Sequence, residues 1–204
     1  MSINANPAIT PTLPGARVLA DALPGERGRD LLLVLAGAGL TTLGAQVAIH
    51  VPGSPVPITG QTLGVVLAGA TLGARRGGLS QLVYLLLGLF LPVYANGQSG
   101  LAVVTGANGG YMFGFIIAGT LVGWAAEHHA ERRLLIAPFT FALGQLAIFG
   151  IGVPWLKFVT GMSWTDAVHA GFLPFIVGGA VKAVAAATAM PTAWRIQRRL
   201  SRRG

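Results

Sequence analysis

All arginines of this chain lie in four short clusters, and the stretches between the clusters are long and nearly uncharged. Each stretch can hold two membrane-spanning helices of about twenty residues, joined by a hairpin. Because loops rich in Lys and Arg stay on the cytoplasmic side, the spacing predicts an even number of spans with both termini in the cytoplasm. The clusters are Arg17, Arg27 and Arg29; Arg75 and Arg76; Arg132 and Arg133; and Arg195, Arg198, Arg199, Arg202 and Arg203.

The composition agrees with an integral membrane protein. The chain is 53% hydrophobic and 10% charged, whereas soluble domains carry about 25% charged residues. The net charge of +8 would indicate nucleic acid as a partner of a soluble protein. Here the basic residues flank apolar segments, so the expected partner is the lipid bilayer and not nucleic acid. The chain has no cysteine, which excludes disulfides, thiolate nucleophiles and iron–sulfur sites.

Hydropathy divides the chain into an N-terminal arm, a membrane domain and a basic tail. Residues 1–30 are expected to form a flexible cytoplasmic arm, 31–193 an all-α membrane domain, and 194–204 a cytoplasmic tail. Segments two to four are shorter than a straight crossing requires, so we expect them to be tilted or partly packed inside the protein. The six predicted spans are about 31–51, 58–74, 79–93, 110–126, 134–153 and 171–190.

Three loops are predicted to face the outside. The first, 50–57, is stiffened by prolines and cannot be helical through its middle. The second, 94–110, is polar around an apolar patch at 101–104, which indicates a loop that folds over something. The third is expected to begin at Pro154 and to include Trp164. Together these loops predict a pocket with a lid.

Lys182 is the residue with the clearest functional signal. It lies near the middle of the last span, ten residues from its start, and ten helical residues measure about 15 Å. A charge at that depth costs roughly 3 kcal/mol and usually faces a cavity or a partner. The spans contain no Asp or Glu, so we expect a polar or anionic ligand. The alternative is a neutral lysine satisfied by backbone carbonyls and water.

Two further sets of residues within the spans have open interpretations. Small residues at Gly37, Thr41 and Ala45 recur every four positions and form a stripe that packs either against this protein's own helices or against a partner membrane protein. Polar side chains at membrane depth can bridge helices, and most of them are interpreted as structural: Gln46, Gln61, Gln81, Tyr84 and Gln145.

The sequence contains none of the common enzyme motifs. It lacks a His-Glu-x-x-His zinc motif, a Gly-x-Ser-x-Gly elbow and paired carboxylates within the spans. Glu127, His128, His129 and Glu131 are interpreted as a solvated loop, because consecutive histidines rarely converge on one metal ion. We therefore expect no catalytic residue, metal or cofactor. The chain also has no P-loop, so any uphill transport would need ATP hydrolysis by another subunit.

Several segments together resemble the BioY family, the biotin-specific S components of energy-coupling factor (ECF) transporters. The similarity runs in the family's order from about residue 31 to 190, and the stretch from Pro57 to Phe115 is the most specific part. The matching segments are Gly44–Ile49, Val56–Leu63, Leu67–Gly73, Gly78–Ser80, Tyr84–Tyr94, Gly106–Phe115, Gly152–Leu156, Pro174–Phe175 and Lys182–Ala183.

This resemblance implies a six-transmembrane-helix bundle of the S-component type in the cell membrane of a prokaryote. Such a protein binds biotin from outside, under the loops between helices one and two and between helices three and four. A membrane scaffold subunit and a pair of ATPases drive release inside. Transport without them would need facilitated diffusion or a homo-oligomer. The alternative function is an S component for another water-soluble vitamin.

The resemblance also implies roles for particular residues. Asn96, Gln98 and Asn108 are expected polar loop contacts, Tyr84 and Trp155 are expected to pack on the fused ring of biotin, and Lys182 is the charged or donor group. The docking surface on helix one corresponds to Gly37, Thr41 and Ala45. At two positions the chain departs from the family: Gly179 stands where an Asp is usual, and Asn108 stands in a Gly-Ala-Asn-Gly-Gly segment where Gly-Pro-Thr-Gly-Gly is common.

Overall fold

The computed structural model describes residues 18–22, 27–128, 137–179 and 182, and most of them are helical. Strands β1 (Ala48–Ile49) and β2 (Ile58–Thr59) form a two-stranded antiparallel sheet. Short 3-10 helices cover Leu19–Ala22 and Ala95–Gly97. Residues 173–179 and Lys182 are helical, and we refer to this segment as α8. The other helices are α1 Arg27–Gln46, α2 Gln61–Leu72, α3 Ala74–Leu87, α4 Leu101–Thr105, α5 Gly109–Glu127, α6 Ala137–Thr160 and α7 Trp164–Gly171.

The first five predicted spans each overlap a helix, and the described residues confirm the prediction of a helical bundle. Helices α2 and α3 are separated by Gly73 alone, whose φ of +85° permits an immediate turn that other residues rarely adopt. Arg75 and Arg76, predicted to lie between two spans, belong to the first turn of α3. The Glu127 carboxylate then accepts the N–H of Ala74 at 2.9 Å and caps the start of α3. Of the sixth span only 171–179 and 182 are described, and the predicted tail 194–204 lies outside the described residues.

The predicted third loop is wrong, because α6 continues through Pro154 to Thr160. Proline removes one helical hydrogen bond, yet membrane helices tolerate it when neighbouring groups restore the rest. The helix ends where Gly161 adopts a φ of +73°, and its N–H bonds the Lys157 carbonyl at 2.9 Å. Ser163 then caps α7 by accepting the Asp166 N–H at 3.1 Å.

The apolar patch predicted within the second loop is helical. Leu101–Thr105 forms α4, with Val104 buried and Leu101 exposed. The loop therefore carries its own amphipathic turn of helix, and this turn lies directly before the start of α5.

Glycines allow three helices to meet at backbone distance. Helix α5 packs on α2, α3 and α6, and α1 packs on α2 and α3. A Cβ atom at Gly69 of α2 would lie 2.7 Å from the Gly119 carbonyl oxygen of α5, and one at Gly77 of α3 would lie 2.9 Å from the same atom. Small residues at such crossings are the usual packing device within membranes.

The outside of the bundle carries large apolar side chains. Phe90, Phe139 and Phe158 are largely exposed, which a lipid environment accommodates. Two of the described helices, Gly109–Glu127 and Pro138–Thr160, are long and apolar enough to cross a membrane, and Gln61–Leu72 is a shorter apolar helix. These features agree with a membrane bundle.

Part of the predicted flexible arm is packed against the bundle. Helix α1 begins at Arg27, inside the predicted arm. Val18 and Ala20 are buried, and Asp21 accepts a hydrogen bond from Arg76 at 2.9 Å. Arg76 also pairs with Asp30 at 3.1 Å. Residues 1–17 and 23–26 lie outside the described residues.

The glycine crossing gives a stability prediction. Replacing Gly119 by leucine should lower the melting temperature of the detergent-purified protein, because overpacking a tight contact costs about 1–3 kcal/mol. Gly39→Leu is the matched control, since a Cβ at Gly39 meets no atom within 4 Å. Tryptophan fluorescence during heating measures both variants. Equal melting temperatures for the two would show that the crossing can relax.

Candidate functional site

A cavity opens between α2, α5, α6 and α8, under the loop that precedes β2 and the loop that carries α4. About 600 Å³ of space is unoccupied by atoms, including the part of the mouth that is open to solvent. Its apolar wall includes Met112, Phe115, Ile148, Phe149 and Phe175. Its polar lining is Thr59, Gln61, Thr62, Gln98, Asn108, Tyr111, Gln145 and Lys182.

Lys182 brings a cation to the wall of this cavity. Its Nζ donates hydrogen bonds to the carbonyl oxygen of Thr59 and to Oγ1 of Thr62, the latter at 3.1 Å. Both acceptors are neutral, and no carboxylate of the described residues lines the cavity. The amino group is thus oriented by the start of α2, and the described lining contains no counter-ion for its charged form.

The polar segment at the start of α2 is held by a chain of hydrogen bonds. Thr59 Oγ1 donates to Gln61 Oε1 at 2.7 Å, and Gln61 Nε2 donates to the Tyr84 hydroxyl at 2.5 Å. Tyr84 is fully buried and lies edge-on to Tyr94, with 5.6 Å between ring centroids. The structure therefore places Tyr84 behind the cavity lining, where it supports Gln61.

The loop between α3 and α5 contributes Gln98 and Asn108 to the lining. Asn96 lies in the same loop but is exposed and outside the lining, in a left-handed conformation with φ of +58°. The Tyr94 hydroxyl donates to the Leu85 carbonyl at 2.6 Å, which fastens the beginning of this loop to the end of α3.

Trp155 fastens the other end of the same loop. Its Nε1 donates to the Gly106 carbonyl at 2.9 Å, and its side chain fills the space that a Cβ at Gly110 would need. Trp155 is not among the residues that line the cavity. Likewise Ser54 Oγ donates to the Ala170 carbonyl at 2.7 Å, which ties the first loop to α7.

Sequence reasoning missed the aromatic cluster that forms one side of the cavity. Tyr111 and Phe175 stack with their ring centroids 6.4 Å apart, and Phe149 contacts Tyr111 at 6.1 Å and Phe175 at 5.6 Å. Tyr111 and Phe175 stand in segments that carried the family resemblance, which was the available signal. Phe149 had none, because aromatic residues are common in membrane helices.

The small-residue stripe of α1 faces the interior of the bundle. A Cβ at Gly37 would lie 2.8 Å from side-chain atoms of Leu72 and Ser80, and Thr41 and Ala45 are fully buried. Thr41 donates to Gln81 Oε1 at 3.0 Å. These contacts favour the interpretation that the stripe packs against this protein's own helices, and docking through it stays a prediction.

Comparison with known proteins gives relatives over most of the chain. The biotin transporter BioY2 of Lactococcus lactis is 37% identical over 156 residues, which cover 76% of this chain and 84% of the relative. The biotin transporter BioY of Rhizobium etli is 37% identical over 168 residues, or 78% and 89% of the two chains. A probable biotin transporter BioY of Pyrococcus horikoshii is 38% identical over 172 residues, or 84% and 98%.

A solved structure shares the fold. The S-component for biotin from an ECF-type ABC transporter superimposes with a TM-score of 0.74 and 24% identity, and the match covers 89% of this chain and 96% of that one. The bundle therefore has the fold of an S component. The BioY family matches residues 17–199, nearly the whole chain, and with these relatives it shows that the protein belongs to the BioY family.

Proposed function

We propose that this protein is the biotin-binding S component of an ECF transporter. The observation that carries the proposal is a cavity with aromatic walls that contains an ammonium group without a carboxylate among its described lining residues. Biotin is complementary to such a site, because its thiophane ring needs apolar walls, its ureido group needs donors and acceptors, and its carboxylate needs a cation or water. The names of the relatives support this choice over another vitamin.

Particular side chains then have particular roles. Lys182 supplies a charged donor, and the amides of Gln98 and Asn108 supply polar contacts from the loop above the cavity. Phe149, Phe175 and Tyr111 pack against the fused ring. Tyr84 and Trp155 support the site, since the first orients Gln61 and the second fastens the loop. Asn96 stays a predicted contact, and it would reach the ligand only through movement of its loop.

The arrangement of the charges supports entry of biotin from outside. Arg75 and Arg76 follow the far end of α2, and the cavity residues Gln61 and Thr62 open that helix. Twelve helical residues separate these ends by about 18 Å. Because basic loops face the cytoplasm, the cavity lies toward the opposite face of a multi-pass protein with cytoplasmic termini.

Energy for uptake is proposed to come from separate subunits. The sequence has no nucleotide-binding P-loop, so an ECF scaffold subunit and ATPase subunits would drive release of biotin into the cell. We propose binding and transport without catalysis. Function of this chain alone, including as a homo-oligomer, is the alternative mode.

Equilibrium binding of labelled biotin to the purified protein in detergent tests the proposal. We expect saturable binding at one site per chain that unlabelled biotin displaces and other water-soluble vitamins do not. Uptake by cells that express the chain with and without scaffold and ATPase subunits tests the energy source. A well-folded protein that ignores biotin and binds a different vitamin would establish the alternative S-component function.

A further inference from the structure

Gln145 is a buried amide that lines the cavity without a hydrogen-bond partner for its oxygen. It lies on α6 and is 8% exposed. Its Oε1 atom is buried and accepts no hydrogen bond from the described part of the chain. Leaving a buried polar atom unpaired is destabilising, and native proteins keep few such atoms. This orphaned acceptor therefore needs an explanation.

The other buried glutamines show that the fold can satisfy amides at similar burial. Gln61 accepts from Thr59 at 2.7 Å and donates to Tyr84. Gln81 accepts from Thr41 at 3.0 Å and donates to Ser80 at 3.0 Å. Both residues have the helix-bridging role that their sequence positions indicate. Gln145 lacks that role in the described structure: like Gln61 it lines the cavity, but its oxygen is unpaired.

Within the described residues, no side chain of α5 or α6 donates to the Gln145 oxygen. The other cavity-lining residues of α5 and α6 are Tyr111, Met112, Phe115, Ile148 and Phe149, and the Tyr111 hydroxyl already donates to the Gly171 carbonyl at 2.9 Å. A bridging water would need two to four polar partners, which the apolar members of this wall do not provide. A ligand that carries an N–H donor would satisfy the amide oxygen.

The position of Gln145 places this acceptor in the deep part of the site. Trp155, which fastens the loop above the cavity, follows ten residues later on α6, or about 15 Å along the helix axis. The other lining amides outside the start of α2, Gln98 and Asn108, belong to that loop. Gly179 of α8 lines the cavity without a side chain that could accept. Among the amide side chains on the described helical walls of the cavity, Gln145 is thus the one whose carbonyl oxygen has no hydrogen-bond partner.

We propose that Gln145 Oε1 accepts a hydrogen bond from a ureido N–H of bound biotin. This inference rests on the proposed function and adds a residue that determines specificity for the ureido ring. The ligand N–H satisfies the orphaned oxygen, which has no partner among the described residues. A ligand with an alkylated nitrogen at that position would leave the oxygen unpaired.

Gln145→Leu is the first test variant, with Gln46→Leu as its matched control. Gln46 is exposed, and its Nε2 bonds its own helix at the Thr42 carbonyl at 3.2 Å. We expect Gln145→Leu to weaken biotin binding by about tenfold or more while the melting temperature of the empty protein stays unchanged or rises. A purely structural glutamine would instead lower the melting temperature. Gln46→Leu should change neither property.

Gln145→Met and two biotin analogues, each methylated on one ureido nitrogen, give a second readout. The wild type should reject one analogue more strongly than Gln145→Met does, because the coupling between the amide and that N–H is lost in the variant. The inference about Gln145 is overturned if the Gln145 variants bind biotin as tightly as wild type and Gln46→Leu do and reject both analogues to the same extent. The proposed function would stand in that case. If the wild type does not bind biotin, the proposed function fails and the inference fails with it.

Discussion

Replacing Lys182 by methionine is expected to weaken biotin binding by about a hundredfold. A hydrogen bond from a charged group contributes about 1.5–3 kcal/mol, and a factor of ten corresponds to about 1.4 kcal/mol. The ammonium is held by Thr59 and Thr62, which are neutral, so its charge is available to the ligand. Methionine keeps the length and the apolar stem and removes the charge. Titration of labelled biotin against both proteins measures the ratio.

The stability of the empty protein should change in the opposite direction. A buried charge without a counter-ion is costly, so Lys182→Met should melt at the same temperature or higher. Lys157→Met is the control for loss of a positive charge. Its Nζ lies over the Trp164 ring, 5.2 Å from the centroid and outside the cavity lining. Biotin affinity that is kept in Lys182→Met would remove this residue from the binding site.

Charge patterning was sufficient to predict most of the helices. Apolar segments between basic loops must be helical in a bilayer, because every backbone polar group needs an internal partner. Lys182 stood out for a related reason, because a charged side chain without a partner at membrane depth has a large free-energy cost. Pro154 shows the limit of this reasoning. The sequence-based prediction ended the helix before this proline, whereas α6 continues for six residues beyond it within the packed bundle.

The sequence predicted polar and aromatic residues near the site but not which of them line the cavity. Tyr84 and Trp155 were expected beside the ligand, and the structure places both outside the lining. Each has a polar group that is satisfied by the protein itself, Tyr84 by Gln61 and Trp155 by Gly106. The partner of a hydrogen bond is set by tertiary structure, so composition and spacing could not separate supporting residues from lining ones.

Gln145 shows the opposite outcome: the sequence indicated a structural residue, and the structure makes it a candidate ligand contact. Its sequence environment is that of an ordinary helix-bridging amide, as for Gln81, and no motif distinguishes the two. Only the packed structure shows that Gln81 is satisfied by Thr41 and Ser80 whereas the Gln145 oxygen is unpaired. Burial combined with an unmet hydrogen bond is therefore the signal that separates a candidate ligand contact from a structural glutamine.

The helices around the cavity and the loop that covers it are held in place by different contacts. The cavity walls are helices that meet at glycines, while the loop from Tyr94 to Asn108 is held by the hydrogen bonds of Tyr94 and Gly106 at its ends and by one from the Gly100 N–H to the Gly88 carbonyl. Local openings occur where few buried contacts hold a segment. We therefore expect this loop to control the rate at which ligand leaves, and the junction of α4 with α5 to be its most sensitive point.

Gly109→Val is expected to increase the rate of biotin dissociation by about tenfold or more and to lower the affinity accordingly. Any Cβ at Gly109 would overlap the Val104 carbonyl oxygen, and it would lie 3.1 Å from Trp155 Nε1. The substitution must push α4 away from the start of α5 and disturb the hydrogen bond from Trp155 to Gly106. In the free protein the loop moves outward and relieves part of this strain, and biotin must restore the tight arrangement on binding. A cost of about 1–3 kcal/mol for overpacking is about 5- to 150-fold in an equilibrium constant.

Chase of labelled biotin with excess unlabelled biotin measures the dissociation rate in the wild type, Gly109→Val and Gly150→Val. The last variant adds the same β-branched side chain to α6 at a glycine whose Cβ would meet no atom within 4 Å, so it should release biotin at the wild-type rate. Gly109→Val should melt lower than Gly150→Val, since the strain is present without ligand. If Gly109→Val retains biotin as long as the wild type does, α4 is not part of the barrier to release, and the ligand leaves past the loop between β1 and β2.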